Sequence, residues 1–316
     1  MYLICGEALY DVFVDPMDVD LRRRVSLTAK AGGSPYNVAI GLARLGCKVA
    51  LATEIAGDTL GRHLEARLEL EGVDRRFLRR TARATPLAMV DVDTYGTPRY
   101  AFYGLEHILF HPALETVTPQ WPALTGVHIG SIPIVSPQSS PLLLELVSAA
   151  PAKHLVSFDP NVRLAIEPDA ARWREAVERF RRLAHVIKVS EEDLVNLYGA
   201  DTDCDSIAKT WLGGRCGLVV VTRGAKGASF HSRSAGSVRV PAVSVVIADT
   251  VGAGDSFQAA MLAWLAENRH ASPTEVAALT AADITSLGQF AAQAAAATCR
   301  QKGPEFPYRR SLQPTR

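Results

Sequence analysis

Short apolar runs alternate with helix-patterned segments along most of this chain of 316 residues. The apolar runs predict buried strands at 2–6, 48–55, 126–130, 155–159, 186–189 and 218–222. Helical periodicity predicts helices between Gly33 and Gly46, after Pro141, and at 59–71, 170–183, 191–198, 205–212 and 284–298. Parallel strands need long crossover connections, which are usually helices. The alternation therefore predicts an α/β fold with a mostly parallel sheet that helices cover on both faces.

The alternation is interrupted between Pro86 and Phe110. Residues 87–92 and 99–103 flank the turn 94–98 without an intervening helix, which predicts a β-hairpin. This hairpin indicates a small β-sheet subdomain at the edge of the main sheet. The segment 15–31 is polar and basic and has no clear helical period. No repeat, low-complexity segment or linker divides the chain, so we expect a single domain over 1–316.

The most informative local pattern follows the apolar run 243–247. That run leads through Gly252 and Gly254 into a helix that begins at about Ser256, which predicts a strand end, a tight turn and a helix. The first N–H groups of a helix have no acceptor inside it, so this turn suits a phosphate. Asp255 lies where a carboxylate could orient a hydroxyl group for attack on that phosphate, and a helix N-terminus favours its ionised form. The alternative is that Asp255 or Ser256 is only a helix cap.

Five polar features follow predicted strands or begin predicted helices. They are the strand-end carboxylate Asp11, the glycine pair 32–33 with Asn37, the segment 159–163, the strand and turn 221–227, and the turn 252–255. Glu7, which follows the same strand as Asp11, is a further site candidate. In an open parallel sheet, ligands bind beyond the carboxyl ends of the strands, which share one edge. We therefore expect all five features at one rim, with a polar ligand at one end and phosphates at the other.

Composition excludes several classes of function. The 34 basic and 33 acidic residues give a net charge of +1, so charge favours neither nucleic acid nor an anionic membrane as a partner. No apolar run approaches the ~20 residues of a membrane-spanning helix, and the N-terminus has no signal-peptide pattern. Five widely spaced cysteines without a C-x-x-C pattern indicate reduced thiols in a cytoplasmic protein. The chain also lacks a Walker A sequence and a G-x-G-x-x-G fingerprint.

Two of these motifs carry a family resemblance. Asp249-Thr-Val-Gly-Ala-Gly-Asp-Ser-Phe257 resembles the C-terminal signature of the ribokinase/PfkB carbohydrate kinases, and Gly32-Gly33 followed by Asn37 resembles their N-terminal one. The likeness covers about 3–308 and is greatest to fructokinase-type members. It implies a ribokinase-like three-layer α/β/α sandwich with a β-sheet lid formed by about 10–30 and 86–110. It also implies ATP as the phosphoryl donor and a sugar hydroxyl as the acceptor.

The resemblance implies residue roles, position by position. The catalytic base would be Asp255, and the anion hole would be formed by Gly252, Ala253 and Gly254. Sugar-binding residues would be Asp11, Gly32, Gly33, Asn37, Phe102, Tyr103 and Arg163. Nucleotide-binding residues would be Lys188, Ser190, Asp193, Thr222, Gly224 and Gly227. Asp193 would hold Mg²⁺ through water, and a monovalent cation, K⁺, would lie near Asp249.

The chain departs from the family pattern in two places. Ser190-Glu-Glu-Asp193 stands where many members have Asn-x-x-Glu, and Tyr103-Gly-Leu-Glu-His-Ile-Leu stands where fructokinase-like members often have arginine and a Gly-Ala-Ala-Asp-like run. The acceptor therefore stays open among fructose, 2-keto-3-deoxygluconate and a nucleoside or aminoimidazole riboside. A catalytically silent sugar- or nucleotide-binding regulator is the alternative outside enzymes. The resemblance also allows a homodimer formed through the lid.

Overall fold

The computed structural model describes residues 1–20, 24–92, 98–104 and 117–312. Its strands are β1 Tyr2–Cys5, β2 Leu9–Asp20, β3 Arg24–Gly32, β4 Val49–Ala56, β5 Leu78–Thr81, β6 Leu87–Val92, β7 Pro98–Tyr103, β8 Gly126–Gly130, β9 Leu155–Asp159, β10 Val186–Ser190, β11 Leu218–Thr222, β12 Ala228–Ser232 and β13 Gly236–Val240. These described strands form two sheets. The large sheet has the order β13-β12-β11-β10-β9-β8-β1-β4-β5, and the small sheet has the order β3-β2-β6-β7.

The large sheet is parallel from β11 through β10, β9, β8, β1 and β4 to β5. Among the described strands of this sheet, only the pairs β11–β12 and β12–β13, at one edge, are antiparallel. The central strands are buried on both faces, which explains why they are continuous apolar runs rather than alternating patterns. The mostly parallel sheet expected from the sequence is confirmed.

Helices cover both faces of the large sheet. Their bounds in the described chain are α1 Ser34–Arg44, α2 Thr59–Leu70, α3 Ser140–Ser148, α4 Ala170–Arg181, α5 Glu191–Tyr198, α6 Cys204–Trp211, α7 Ala253–Glu267, α8 Pro273–Ala277 and α9 Ala281–Cys299. Side chains of α1, α2, α7 and α9 belong to one apolar core, and those of α3 to α6 belong to the other. The fold is therefore a three-layer α/β/α sandwich. None of these helices has the length and apolarity that crossing a bilayer requires.

The small sheet contains the predicted hairpin and two strands, β2 and β3, that the hydrophobic pattern did not indicate, although the family resemblance assigns 10–30 to the lid. β6 and β7 pair antiparallel, β2 pairs parallel with β6, and β3 pairs antiparallel with β2. The described parts of the polar segment 15–31, which are 15–20 and 24–31, thus lie in the paired strands β2 and β3. The cleft face of this sheet carries Asp11 among apolar side chains such as Leu9 and Phe102, while Val25 and Leu27 on the other face are more than half exposed. Parts 21–23, 93–97 and 105–110 of the expected lid lie outside the described residues.

The strand predicted at 243–247 is wrong. After Pro241 the chain runs as an irregular segment up to the turn that begins α7. Val246 is 90% exposed and Ile247 is 58% exposed, so these apolar side chains are not part of a buried strand. The edge of the large sheet is formed instead by the β12–β13 hairpin.

Candidate active site

A cleft of about 910 Å³ opens at the carboxyl edge of the large sheet and extends under the small sheet. It contains residues from all five sequence features, which come from distant parts of the chain. The lining residues include Glu7, Asp11, Gly33, Asn37, Phe102, Arg163, Lys188, Ser190, Asp193, Thr222, Gly224, Gly227, Gly252, Ala253, Gly254 and Asp255. The convergence at one rim that the sequence indicates is therefore present in the structure.

The turn at the start of α7 presents free N–H groups to the cleft. Gly252 has a φ of 80°, and a Cβ there would lie 2.8 Å from Pro304, so only glycine fits. The Ala253 N–H already donates to the Thr250 carbonyl at 3.2 Å. Within the described chain, the N–H groups of Gly252, Gly254 and Asp255 have no acceptor, so of the three amides predicted for an anion hole only that of Ala253 is already bonded. The amides of Gly254 and Asp255, at the positive end of a helix of fifteen residues, can bind an anion.

Asp255 is held in place by two side chains of α1. The Ser34 hydroxyl donates to its Oδ1 at 2.6 Å, and the Asn37 amide donates to its Oδ2 at 2.9 Å. Burial raises the pKa of Asp255, while these two hydrogen bonds and the Lys188 ammonium oppose the rise. The expectation that the helix N-terminus would dominate and favour the ionised form is wrong in direction, because desolvation is the larger effect.

Ser34 is a site residue that the sequence analysis missed. It follows the glycine pair and is the first residue of α1, so its hydroxyl lies beside the cleft. The sequence did contain a signal for Ser34. A hydroxyl residue directly after a glycine pair, at the first position of a helix, indicates a side chain that can contact a ligand. Its bond to Asp255 fixes the carboxylate from one side while Asn37 fixes it from the other.

The end of the cleft where the sequence predicts the sugar-binding residues is formed by the small sheet and by the segment after β9. Burial raises the pKa of Asp11 to about 6, although the nearby Arg163 guanidinium lowers it. A Cβ at Gly32 would lie 2.3 Å from Asp11 Oδ2, so the absent side chain makes room for this carboxylate. Arg163 itself is exposed and donates to the Val162 carbonyl at 2.9 Å.

The two aromatic residues at the end of β7 lie on opposite faces of the small sheet. Phe102 lines the cleft and packs with Leu9, Ala88 and Ile132. Tyr103 is 60% exposed and does not line the cleft. Successive side chains of a strand point to opposite faces, so one strand cannot present both rings to the same ligand. The structure brings Phe102 to the site and leaves Tyr103 on the outer face.

Glu7 is a buried carboxyl group at the base of the cleft. It is 3% exposed, and its Oε2 has no hydrogen-bond partner among the described residues. Burial raises its pKa to about 7, and hydrogen bonding by the Ser131 side chain limits the rise. The Asn161 amide in turn donates to the Ser131 hydroxyl at 3.1 Å. Glu7 therefore titrates near neutral pH beside Asp255.

Lys188 and Asp159 form a buried ion pair at the floor of the cleft. The Lys188 ammonium lies 2.7 Å from Asp159 Oδ2, and both side chains are at most 5% exposed. Burial lowers the pKa of Lys188, but the Asp159 and Asp193 carboxylates outweigh it and raise the pKa overall. The lysine is therefore charged at neutral pH.

Asp193 closes the start of α5. Ser190 and Asp193 form a reciprocal capping box, in which each side chain accepts the backbone N–H of the other. The second carboxylate oxygen of Asp193 accepts the Val162 N–H at 2.8 Å. Asp193 thus connects α5 to the segment that carries Arg163, and it also lines the cleft.

The end of the cleft where the sequence predicts the nucleotide-binding residues combines a tight turn with an apolar wall. Gly224 and Gly227 have φ values of 52° and 85°, and a Cβ at Gly227 would lie 2.2 Å from the Val240 carbonyl oxygen. The wall was not predicted from the sequence. It consists of Val240, Val243, Val245, Ile247, Gly288, Ala292, Ala295 and Ala296. A flat aromatic ring suits such a surface better than a sugar does.

Asp249 lies in the loop before α7 rather than among the cleft residues. Its carboxylate accepts the N–H of Val251 at 3.0 Å and the N–H of Gly303 at 2.8 Å. It thus joins this loop to the C-terminal segment. No three His, Cys, Asp or Glu side chains in the described chain cluster as a metal cage would require.

Comparisons with known proteins agree with this geometry. The pattern of the pfkB family carbohydrate kinases matches residues 2–310. A fructokinase from Rhizobium leguminosarum bv. trifolii is 33% identical over 282 residues, which cover 88% of this chain and 84% of that protein.

Two solved structures extend the likeness to three dimensions. A fructokinase with bound ATP from Xylella fastidiosa has a TM-score of 0.81 at 26% identity, covering 96% of this chain and 93% of its own. A fructokinase from Vibrio cholerae O395, in its fructose, ADP and calcium ion bound form, has a TM-score of 0.74 at 26% identity, covering 96% and 94%. The ribokinase-like sandwich expected from the sequence is confirmed.

Proposed function

Because the chain belongs to the pfkB family of carbohydrate kinases, we propose that it transfers the terminal phosphoryl group of ATP to a hydroxyl group of fructose. As a member of this family the protein is an ATP-dependent sugar phosphotransferase. The similarity of this chain to fructokinases favours fructose as its substrate. The single observation that carries the catalytic assignment is the placement of Asp255. Its carboxylate is fixed by Ser34 and Asn37 beside two unbonded amides.

Asp255 acts as the catalytic base. The sugar hydroxyl approaches its carboxylate, the new oxygen–phosphorus bond forms, the bond to the ADP oxygen breaks, and the hydroxyl proton passes to Asp255. The raised pKa of this carboxyl makes it a better proton acceptor than an exposed aspartate. The proton leaves late in such a reaction, so the main task of the residue is to orient the hydroxyl.

The amides of Gly254 and Asp255 stabilise the phosphoryl group in transit. The transition state spreads negative charge over the equatorial oxygens, and fixed N–H donors bind that charge without reorganising. Gly252 permits the turn, and the Ala253 N–H holds it by its bond to Thr250. The anion hole therefore consists of a rigid turn and the two free amides that follow it.

The donor nucleotide occupies the end of the cleft that is lined by Thr222, Gly224 and Gly227, with its base against the apolar wall of α9 and the 242–247 segment. A divalent ion such as Mg²⁺, when bound with the nucleotide, neutralises phosphate charge. Such an ion is held mostly by phosphates and waters, which fits a site with the carboxylates Glu192 and Asp193 and no protein cage among the described residues. A monovalent cation, K⁺, would bind near Asp249.

The sugar occupies the opposite end of the cleft. Asp11, Asn37 and the backbone at Gly33 face its hydroxyl groups, and Phe102 covers it from the small sheet. The small sheet acts as a lid that excludes water, which would otherwise accept the phosphoryl group. Its outer face carries the exposed side chains of Val25, Leu27 and Tyr103, which a second copy of the chain would cover in a homodimer.

One observation favours a second acceptor. Arg163 is an exposed cation at the sugar end, and its positive charge lowers the pKa of Asp11. A guanidinium there suits the carboxylate of a sugar acid such as 2-keto-3-deoxygluconate.

The five unpaired cysteines fit a reducing compartment such as the cytoplasm.

A coupled assay of ADP formation tests this function. The purified protein is incubated with Mg·ATP and, one at a time, fructose, other ketohexoses, pentoses, 2-keto-3-deoxygluconate and nucleosides including aminoimidazole riboside. We expect the highest kcat/KM with fructose. Arg163→Gln is the matched control, because it should reduce kcat/KM far more for a sugar acid than for a neutral sugar. A higher kcat/KM for another acceptor would replace fructose by that acceptor, and no sugar-stimulated ADP formation at all would contradict the kinase function.

A further inference from the structure

A second cavity, of about 530 Å³, lies between the small sheet, α2 and the C-terminal segment 302–305. It shares no lining residue with the candidate active site. Its lining combines apolar side chains such as those of Ala31, Ala66 and Pro304 with several charged ones. Pockets of this volume are large enough for a small metabolite. The cavity is therefore a separate candidate binding site.

Positive charge predominates in this cavity. Lys30, Arg67 and Lys302 are cations at neutral pH, and Glu305 is the carboxylate that lines the cavity with them. Glu305 is already engaged, because it lies 3.1 Å from Arg44 and 3.5 Å from Arg67. Lys30 and Lys302 form no ion pair with any described residue. The cavity therefore suits an anion.

The hydroxyl group of Tyr10 is an unused hydrogen-bonding group at this cavity. Tyr10 lines the cavity and is 8% exposed, and its hydroxyl bonds to no described residue. By contrast, the buried Tyr2 and Tyr36 each donate to a backbone carbonyl at 3.1 Å. Buried polar groups are normally hydrogen-bonded, so an exception requires an explanation. An anion in the cavity supplies the acceptor that Tyr10 lacks.

Strand β2 separates this cavity from the cleft. Successive side chains of a strand point to opposite faces, so Tyr10 lines the cavity whereas Asp11 lines the cleft. Lys30 pairs with Asp11 in the β2–β3 ladder, and its charge is one of those that oppose the rise that burial gives to the pKa of Asp11. A Cβ on Gly303 would lie 2.9 Å from Lys30 Nζ, so this ammonium adjoins the segment 302–305.

The segment 302–305 connects the cavity to the anion-hole turn. Three of its four residues line the cavity. The N–H of the fourth, Gly303, donates to Asp249 at 2.8 Å. Pro304 lies 2.8 Å from the position of a Cβ on Gly252. A ligand that fixes this segment therefore also fixes the loop that leads into α7.

We propose that this cavity is an effector site for a phosphate monoester, whose phosphate contacts Lys30, Arg67 and Lys302 and accepts a hydrogen bond from the Tyr10 hydroxyl. Lysine and arginine are the side chains that bind phosphate most often. Sugar phosphates and nucleoside monophosphates share this group. The bound ester bridges the small sheet, α2 and the segment 302–305. Its binding does not depend on phosphoryl transfer, so this inference and the proposed function can fail separately.

Calorimetric titration tests the site. The protein is first saturated with ADP and fructose to occupy the cleft, and is then titrated separately with fructose 6-phosphate, glucose 6-phosphate, AMP and inorganic phosphate. We expect one further equivalent of an ester to bind, and the lowest Kd identifies a sugar phosphate or a nucleotide as the ligand. If no ester binds, or if inorganic phosphate binds as tightly as every ester, the proposal is wrong.

Two substitutions locate the binding. Tyr10→Phe should raise the Kd of the ester about tenfold or more, because it removes a hydrogen bond to a charged group. Lys302→Gln should raise it about threefold or more, and by less at high salt. Arg163→Gln is the matched control, since it removes an exposed cation from the cleft instead, and it should leave the Kd within about twofold. A Kd that changes in Arg163→Gln and not in Tyr10→Phe would place the ester in the cleft and overturn the proposal.

Tyr10→Phe also separates a ligand-binding role from a structural one. Without ester it removes no hydrogen bond, so it should melt within about 1 °C of the unaltered protein, while the rise in Tm that the ester gives the unaltered protein should be reduced. Hydrogen exchange measures the connection to the turn. The amides of Val251 and Gly303, which donate to Asp249, should exchange more slowly when the ester is bound. Unchanged exchange at both amides with ester bound would contradict the effector role.

Discussion

Gly32 offers a substitution that displaces the side chain of Asp11, which is proposed to bind the sugar, and little else. Gly32 ends β3 in an ordinary backbone conformation, so alanine at this position carries no backbone strain. The new Cβ would lie 2.3 Å from Asp11 Oδ2, whereas ordinary contacts begin at 3.4 Å. The carboxylate must therefore move by roughly 1 Å. Because the atom in the way is the end of a side chain rather than backbone, we expect Gly32→Ala to fold normally.

The expected effect is confined to sugar binding. A hydrogen bond to a charged group contributes about 1.5–3 kcal/mol when its partner is fixed, and each 1.4 kcal/mol changes an affinity about tenfold. Displacing Asp11 should therefore raise the KM for sugar by about 10- to 100-fold, with the KM for ATP changed less than about threefold. Steady-state kinetics with each substrate varied in turn measure both values.

Gly57→Ala is the matched control for this substitution. Gly57 also has an ordinary φ, and its nearest neighbour to an added Cβ, the Thr81 carbonyl oxygen, lies 3.8 Å away. It should show the KM values of the unaltered enzyme. A sugar KM in folded Gly32→Ala within about twofold of that of the unaltered enzyme would refute the assignment of Asp11 to the sugar.

Two further predictions concern stability. Burial raises the pKa of Glu7 from 4.5 to about 7, so the stability linked to this group is complete below pH 4.5 and is lost as the pH rises through 7. Glu7→Gln should therefore have a higher free energy of unfolding than the unaltered protein, and the difference should grow to about 3 kcal/mol between pH 5 and 8.5. Urea denaturation at each pH measures both free energies. If the pH profiles of the two proteins are parallel, Glu7 does not have the raised pKa. Asp193→Ala removes the acceptor for the N–H groups of Ser190 and Val162. It should therefore lower the free energy of unfolding by about 1–3 kcal/mol. An unchanged urea midpoint would show that the capping box does not contribute to stability.

The sequence predicted the large sheet because its strands are buried on both faces. A strand such as β8 or β9 has to be apolar at every position, so its pattern is visible without tertiary information. The site was predictable for a related reason, since parallel strands end at one edge. Asn37 and Asp255 are separated by 218 positions in the chain, yet both were expected at this edge, and the structure joins them by a hydrogen bond.

The small sheet was predictable only in part. The hydrophobic pattern predicted β6 and β7, because a turn separates two strand-forming segments, whereas only the family resemblance indicated β2 and β3. Leu27 is 53% exposed, and the cleft face of β2 carries the carboxylate of Asp11, so no apolar alternation marks this hairpin. The opposite error occurred at 243–247, where apolar side chains line the cleft instead of entering the core. Apolar residues that contact a ligand produce the same pattern as apolar residues that contact the core.

Local pattern also could not give the electrostatics of the site. The helix N-terminus at Asp255 is visible in the sequence, but the burial that outweighs it depends on how distant segments such as α1 pack around the carboxylate. The ion pair of Lys188 and Asp159 likewise depends on tertiary structure, because it joins the neighbouring strands β10 and β9. Such shifts follow from the packing of distant segments and are known only when the fold is known.

The most direct test of the catalytic assignment is the turnover of Asp255→Asn, measured together with its affinity for sugar. The substitution keeps the size of the side chain and removes the proton acceptor. We expect kcat to fall by about 10²- to 10⁴-fold while the Kd for sugar, measured by calorimetry, stays within about threefold. Asp201→Asn, at an exposed aspartate, should behave as the unaltered enzyme. A folded Asp255→Asn protein with near-normal kcat would contradict the assignment of Asp255 as the base that aims the sugar hydroxyl at the phosphoryl group.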